Sequence, residues 1–194
     1  MSDRFDEPVD ATPLTPEERQ GLRPTWIATR GDLNAAEAEN IIAGAAWARR
    51  QRRDILTDAF VKALHRRMFN DVWKWAGAYR QTERNIGVEP YRIAVEVHQL
   101  MGDTKFWVEN KTYEPIETAV RLHHRLVFIH PFPNGNGRHS RLMADILAVR
   151  MGYTSFSWGR TNLIDAGEAR KRYIAALRAA DQNDIEPLID FARS

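Results

Sequence analysis

His130-Pro131-Phe132-Pro133-Asn134-Gly135-Asn136-Gly137-Arg138-His139-Ser140-Arg141 runs straight into the apolar stretch Leu142–Val149. Pro131 and Pro133 interrupt the helical periodicity that leads up to them, so the front half of the segment reads as a loop. Gly135 or Gly137 then opens a helix expected to carry Leu142, Met143, Ile146, Leu147 and Val149 inward. A helix start exposes unpaired N–H groups and the positive end of the macrodipole, and so attracts anions. Glycine there lets the backbone approach an anion closely, since no Cβ intervenes. Arg138 and Arg141 are three apart, on neighbouring turns of one face, where both can reach one anionic group. His130 closes the preceding helix, and an imidazole with an ordinary pKa of about 6.5 accepts a proton near neutrality. Each part alone is more often a plain turn or a solvated face. Twelve contiguous residues that serve one scheme point instead to transfer of a phosphoryl-type group to a hydroxyl.

Working outward, the chain reads as mostly α. Helical periodicity predicts helices over 94–108, 116–129, 165–180 and 185–192. A helix over about 55–69 would carry Leu56, Phe60, Ala63, Leu64 and Met68 on one face. The alanine-rich run 33–48 reads as a helix capped by Asp32. Thr15-Pro16-Glu17-Glu18 carries the marks of a helix start, with Thr15 as cap and Glu18 reaching back. Four prolines in residues 1–31 (Pro8, Pro13, Pro16, Pro24) make that stretch an extended arm with one short turn of helix. Between 76 and 93 the character changes: Gly77, Gly87 and Pro90 punctuate short β-prone pieces, which predicts a small hairpin or flap. Of His123 and His124, one is expected to face the core; His139 is expected on the exposed side of the motif helix. Trp73 and Trp75 read as support for the core and the flap.

The 194 residues suffice for one well-buried domain, and 43% hydrophobic with 28% charged residues is ordinary for a globular protein. A formal charge of +2 gives no reason to expect direct nucleic-acid binding. Arginine outnumbers lysine, and arginine is the better planar partner for phosphate. Without cysteine there is no disulfide, thiolate metal site or thiol nucleophile. The acidic start Met1–Glu7 lacks an apolar core of signal-peptide length, and no window approaches a membrane-spanning run, so a cytoplasmic protein is expected.

The spacing His130-x-Phe132-x-x-Gly135-Asn136-Gly137-Arg138-x-x-Arg141 resembles the signature of the Fic family, whose usual form is His-x-Phe-x-Asp/Glu-Gly-Asn-Gly-Arg-x-x-Arg. Residues 72–80 resemble the segment before that family's flap, and residues 83–93 the flap itself. Including the Ala11–Thr15 arm, the whole chain is similar to the group called mobile mystery protein B. The resemblance implies a Fic-type helical bundle over residues 51–194 with a β-hairpin flap, preceded by an inhibitory-type helix at 32–50 and an arm at 1–31. It implies transfer of AMP from ATP, with Mg²⁺ or Mn²⁺, to a Tyr, Thr or Ser hydroxyl of a target protein docked by strand addition on the flap. His130 would be the general base and Phe132 the anchor of the loop. Gly135, Asn136 and Gly137 would form the anion hole, while Arg138 and Arg141 would hold the β- and γ-phosphates.

Asn134 stands where the family carries its acidic metal ligand, and a neutral amide oxygen is a weaker ligand for Mg²⁺. A weakly active or non-catalytic nucleotide binder, a different nucleotide donor, and removal of AMP are therefore the alternatives. The family's inhibitory pattern, Ser/Thr-x-x-x-Glu-Gly/Asn, is matched at its end by Glu39-Asn40, with Ala35 where Ser or Thr is usual. Glu39 is accordingly expected to pair with Arg141. The resemblance also leaves room for a helix-turn-helix regulatory partner and a homodimer.

Overall fold

The computed structural model describes residues 13–160 and 167–194. The helices are α1 (Pro16–Arg19), α2 (Arg30–Arg49), α3 (Asp58–Phe69), α4 (Ile93–Asn110), α5 (Pro115–Ile129), α6 (Asn136–Arg150), α7 (Glu168–Asp181) and α8 (Glu186–Arg193), with 3₁₀ turns at Pro90–Arg92 and Trp158–Arg160. The expected arm before Pro13 and the first residues of the helix expected at 165–180 lie outside the described residues. Among those described there is no sheet; one isolated antiparallel bridge joins Leu22 to Trp73. No described helix is long and apolar enough to cross a membrane.

Threonine side chains cap the first three helices. Thr15 and Glu18 form a reciprocal capping box on α1. On α2 the cap is Thr29 rather than Asp32: Asp32 sits at the third helical position and returns the Thr29 bond, closing a second box. The Thr29 hydroxyl takes the Asp32 N–H while the Asp32 carboxylate takes the Thr29 and Ala28 N–H groups, so the two side chains together close the helix start. Thr57 caps α3, so Ile55 and Leu56 are buried ahead of the helix rather than within it.

α5 and α6 pack along each other at the centre, α4 and α8 lie against α5, α7 packs on α8, and α2 lies along α3. The core gathers Phe60, Leu64 and Met68 from α3, Leu122, Leu126 and Ile129 from α5, and Met143 and Leu147 from α6. Val149, expected inward, is 55% exposed, because it lies on the opposite side of α6 from Met143 and Leu147. The buried stripe of α2 is Leu33, Glu37, Asn40, Gly44 and Ala48. It is mostly polar or small. At Gly44 a methyl would stand 2.8 Å from the Arg67 carbonyl oxygen, so glycine lets the two helix backbones approach closely. Asn40 donates to the Arg67 carbonyl at 3.1 Å and accepts from the Asp71 N–H at 2.9 Å.

The expected β-hairpin over 76–93 does not form. Its backbone groups bond to the end of α5 instead of to each other: the Arg80 N–H donates to Pro131 O at 3.0 Å and the Val88 N–H to Ile129 O at 3.3 Å. The buried Arg80 guanidinium completes this arrangement, with Nε donating to His130 O at 2.7 Å, Nη1 to Thr82 O at 2.9 Å and Nη2 to Val88 O. Among the described residues, no backbone bond joins the two halves of this stretch into a ladder. The flap is an irregular loop pinned by one arginine.

Candidate active site

His130 ends α5 in the left-handed region at φ 53°, which turns the chain sharply into the loop. That loop closes on itself through Asn136: Phe132 N–H donates to Asn136 Oδ1 at 2.9 Å, and Asn136 Nδ2 donates back to Phe132 O at 2.7 Å. Phe132 is fully buried and stacks on His65 with ring centroids 3.7 Å apart. The Gly77 N–H donates to His65 Nδ1 at 3.0 Å, so the ring proton is on Nε2, which donates to Asn134 O at 3.0 Å. Burial holds His65 well below the ordinary imidazole range, fixing this neutral tautomer. His65 thus clamps the loop from beneath. His139, expected to be exposed, is buried, with Nε2 against Val61 O at 3.0 Å, and burial lowers its pKa to about 4. It sits on the α6 face that meets α3.

Gly135 caps α6 at φ +78°, and a methyl there would stand 2.5 Å from Phe69 Cζ. Both conformation and space call for glycine. Gly137 is different: a methyl there would meet Arg141 Nη1 at 3.6 Å and the Tyr173 hydroxyl at 3.8 Å, ordinary contacts. Its missing side chain leaves the helix start open. His130 is buried, and desolvation together with the nearby Arg80 charge lowers its pKa to about 4, so it is neutral at pH 7 and can take up a proton. The flap covers it: a methyl at Gly87 would lie 2.6 Å from His130 Cβ.

The structure corrects the inhibitory pairing. Glu39 is exposed, and the glutamate that reaches the motif is Glu37, whose Oε2 pairs with Arg138 Nη1 at 2.6 Å. Residues two apart on a helix differ by about 200° in direction, so one α2 orientation cannot serve both. Glu37 Oε1 accepts from Trp73 Nε1 at 2.6 Å, and Trp73 stacks on Trp75, which fixes the carboxylate. Arg138 also donates from Nη2 to Asn134 Oδ1 at 3.0 Å and lies over the Phe69 ring. Arg141 faces away from α2. Its guanidinium carbon lies 5.6 Å from the centre of the Tyr173 ring, and burial lowers its pKa from the usual guanidinium range.

As for a metal, Asn134 offers a single side-chain oxygen that is neutral and already accepts from a guanidinium. Among the described residues no three His, Asp or Glu side chains converge on a common point. This donor set does not fit a divalent cation, and the chemistry below is derived without one.

Sequence reasoning missed Glu37, Arg80, His65 and Tyr173. For Glu37 a signal existed: Leu33, Gly44 and Ala48 mark a helix face that also contains 37 and 40. The other three have none, because each makes a defining contact with a residue about 50 or more positions away in the chain: His65 with Asn134, Arg80 with His130 and Tyr173 with His123. Both His123 and His124 are buried; His123 meets Tyr173, and His124 bonds Asp181 at 2.8 Å.

Residues 55–148 match the model of the Fic/DOC family. Among curated proteins, the chain is 29% identical over 144 residues to the protein adenylyltransferase Fic of Aedes aegypti, covering 72% of this chain and 28% of that protein. It is 30% identical over 132 residues to protein adenylyltransferase fic-1 of Caenorhabditis elegans, covering 66% of this chain and 25% of that one. The matched stretch is thus about a quarter of the length of these relatives. Among solved structures, BepC of Bartonella tribocorum with bound AMPPNP superposes with a TM-score of 0.69 at 20% identity, covering 92% of this chain and 97% of that one. The family match lies across the α5–α6 loop and the helices that hold it, and a solved N-terminal Fic domain from Bartonella quintana shares the fold with a TM-score of 0.70 at 18% identity, covering 91% of each chain. The chain belongs to the Fic/DOC family.

Proposed function

We propose that this chain is a protein adenylyltransferase restrained by its own α2 helix, moving AMP from ATP to a hydroxyl side chain of a target protein. One observation carries the reading: a buried neutral imidazole, His130, stands across a glycine-opened helix start from two arginines, one of them held by Glu37. The names of the curated relatives and the AMPPNP in BepC support the choice of nucleotide.

In this reading the phosphates sit at the α6 N-terminus, where backbone N–H groups and the helix dipole meet them. His130 takes the proton of the target hydroxyl as its oxygen attacks the α-phosphorus. The new P–O bond forms while the bond to the bridging oxygen breaks, and that electron pair leaves with pyrophosphate, whose charge Arg138 and Arg141 hold. A target segment laid along residues 83–93 would be presented beside His130, since Gly87 borders it. Glu37 withholds Arg138 from the terminal phosphates, which is the restraint. The narrower likeness to the mobile mystery protein B group, a helix-turn-helix partner and a homodimer belong to this same reading.

The test is labelled-ATP transfer by wild type, Glu37→Gln and Glu37→Gln/His130→Ala, with intact-mass detection and a panel of other nucleoside triphosphates. Transfer that rises in the first variant and disappears in the second is expected; labelling that survives His130→Ala overturns the mechanism. A second reading rests on the engagement of Asn134 by Arg138. It is a nucleotide binder without transfer, or one acting on AMP already attached. Tight nucleotide binding by Glu37→Gln with no mass increase from any donor favours it.

A further inference from the structure

Arg141 lies in a different environment from Arg138. No carboxylate of α2 reaches it; its guanidinium carbon lies 5.6 Å from the centre of the Tyr173 ring on α7. Tyr173 is itself buried, and its hydroxyl stands 3.1 Å from His123 Nε2 on α5. Arginine only donates, so toward Arg141 the Tyr173 oxygen can act only as an acceptor, and its own hydrogen is left for His123. His123 is buried and held well below the ordinary imidazole range, so its neutral ring supplies the accepting lone pair. Trp158 and Phe191 pack on this pair, with ring centroids 4.6 Å from His123 and 5.5 Å from Tyr173. Three helices therefore meet in one directed chain, Arg141 to Tyr173 to His123. Both Arg141 Nη1 and the Tyr173 hydroxyl border the open position at Gly137.

We propose that Tyr173 is a positioning residue for phosphate recognition: backed by His123, it holds Arg141 beside the open helix start so that the terminal phosphates of a nucleoside triphosphate meet an already oriented guanidinium. The inference rests on the nucleotide reading above and adds a residue to it from α7, outside the motif. A free arginine side chain would lose considerable rotamer freedom on binding phosphate; one already fixed by a buried hydroxyl loses little. Nothing in the sequence joins position 173 to the motif, and the contact arises only where the fold brings that residue of α7 to the start of α6.

The experiment compares ATP and AMP binding by calorimetry in the Glu37→Gln chain, alone and with Tyr173→Phe, Arg141→Ala or both. Phenylalanine keeps the ring packing and removes only the hydroxyl. The expected result is a loss of about tenfold in ATP affinity with AMP affinity unchanged, and no further loss from Tyr173→Phe once Arg141 is alanine. His123→Asn, which alters the backing and leaves the Tyr173 hydroxyl in place, is expected to give a smaller loss of the same pattern. Equal loss of ATP and AMP, the full effect of Tyr173→Phe persisting in Arg141→Ala, or no effect at all overturns the proposal. Failure of the Glu37→Gln chain to bind any triphosphate would instead overturn the nucleotide reading beneath it.

Discussion

Replacing Glu37 by glutamine moves stability and nucleotide affinity in opposite directions. The glutamate is 3% exposed, accepts from Trp73 through one oxygen and binds Arg138 through the other. Glutamine keeps the shape and the acceptor for Trp73 but removes the charge facing Arg138. Arg138 is not stranded, since it retains Asn134 and the Phe69 face. The loss is therefore at the lower end of breaking a buried pair, about 1–3 kcal/mol. In a domain of this size that lowers Tm by about 3–8 °C. Binding a triphosphate to wild type requires Arg138 to leave its carboxylate, a charge-assisted bond worth about 1.5–3 kcal/mol. In Glu37→Gln that requirement is gone, so triphosphate affinity rises by about 10- to 150-fold. AMP lacks the β- and γ-phosphates and is unaffected. Calorimetry with AMPPNP and AMP, beside thermal unfolding of both proteins, reads all three quantities. A fall in Tm with no gain for AMPPNP, or an equal gain for AMP, refutes the assignment of Glu37 as a restraint on Arg138.

Four further outcomes are expected. Burial lowers the pKa of His65, His123, His130 and His139, so these rings stay neutral in the fold and charge on unfolding as pH falls from 6.5 toward 4. Their contribution is present above pH 6.5 and is lost on acidification, while buried Asp145, raised to about 6, works in the opposite direction. Urea titrations across pH 7 to 5 are expected to show uptake of about three protons on unfolding at pH 5, and stability that stays level refutes the burial argument. With His130 near pH 4, the rate of any transfer that it drives should be flat from pH 6 to 8; a profile that bends near 6.5 excludes this group as the base. Gly135→Ala meets Phe69 at 2.5 Å in a left-handed conformation and should lower stability by about 2 kcal/mol or more, whereas Gly137→Ala should fold normally and lose nucleotide affinity, as melting and binding curves would show. Arg80→Lys, unable to fork among three carbonyls, should leave the fold intact but speed amide exchange at Val88, and unchanged exchange there means that Arg80 does not pin the flap.

What the sequence determined by itself was whatever depends on neighbours along the chain. Helix periods, the capping box at Thr15, the loop forced by Pro131 and Pro133, and the glycine-opened start of α6 are set by residues within one or two turns of each other. The phosphate-and-base character of His130 to Arg141 is legible for the same reason, since the whole arrangement fits in twelve residues. Tertiary structure decided which polar side chains meet across helices. Glu37 rather than Glu39 faces the motif because close packing at Gly44 and the Asn40 bonds fix the rotation of α2, a choice made by α3 and not by α2. The flap is no hairpin because its backbone and the buried Arg80 bond to the end of α5, 50 residues on, rather than strand to strand. Arg141 lies against Tyr173 because the fold brings that residue of α7 to the start of α6. Local propensity carries no information about such pairings: a buried polar group takes whatever partner the packing brings, and only packing chooses it.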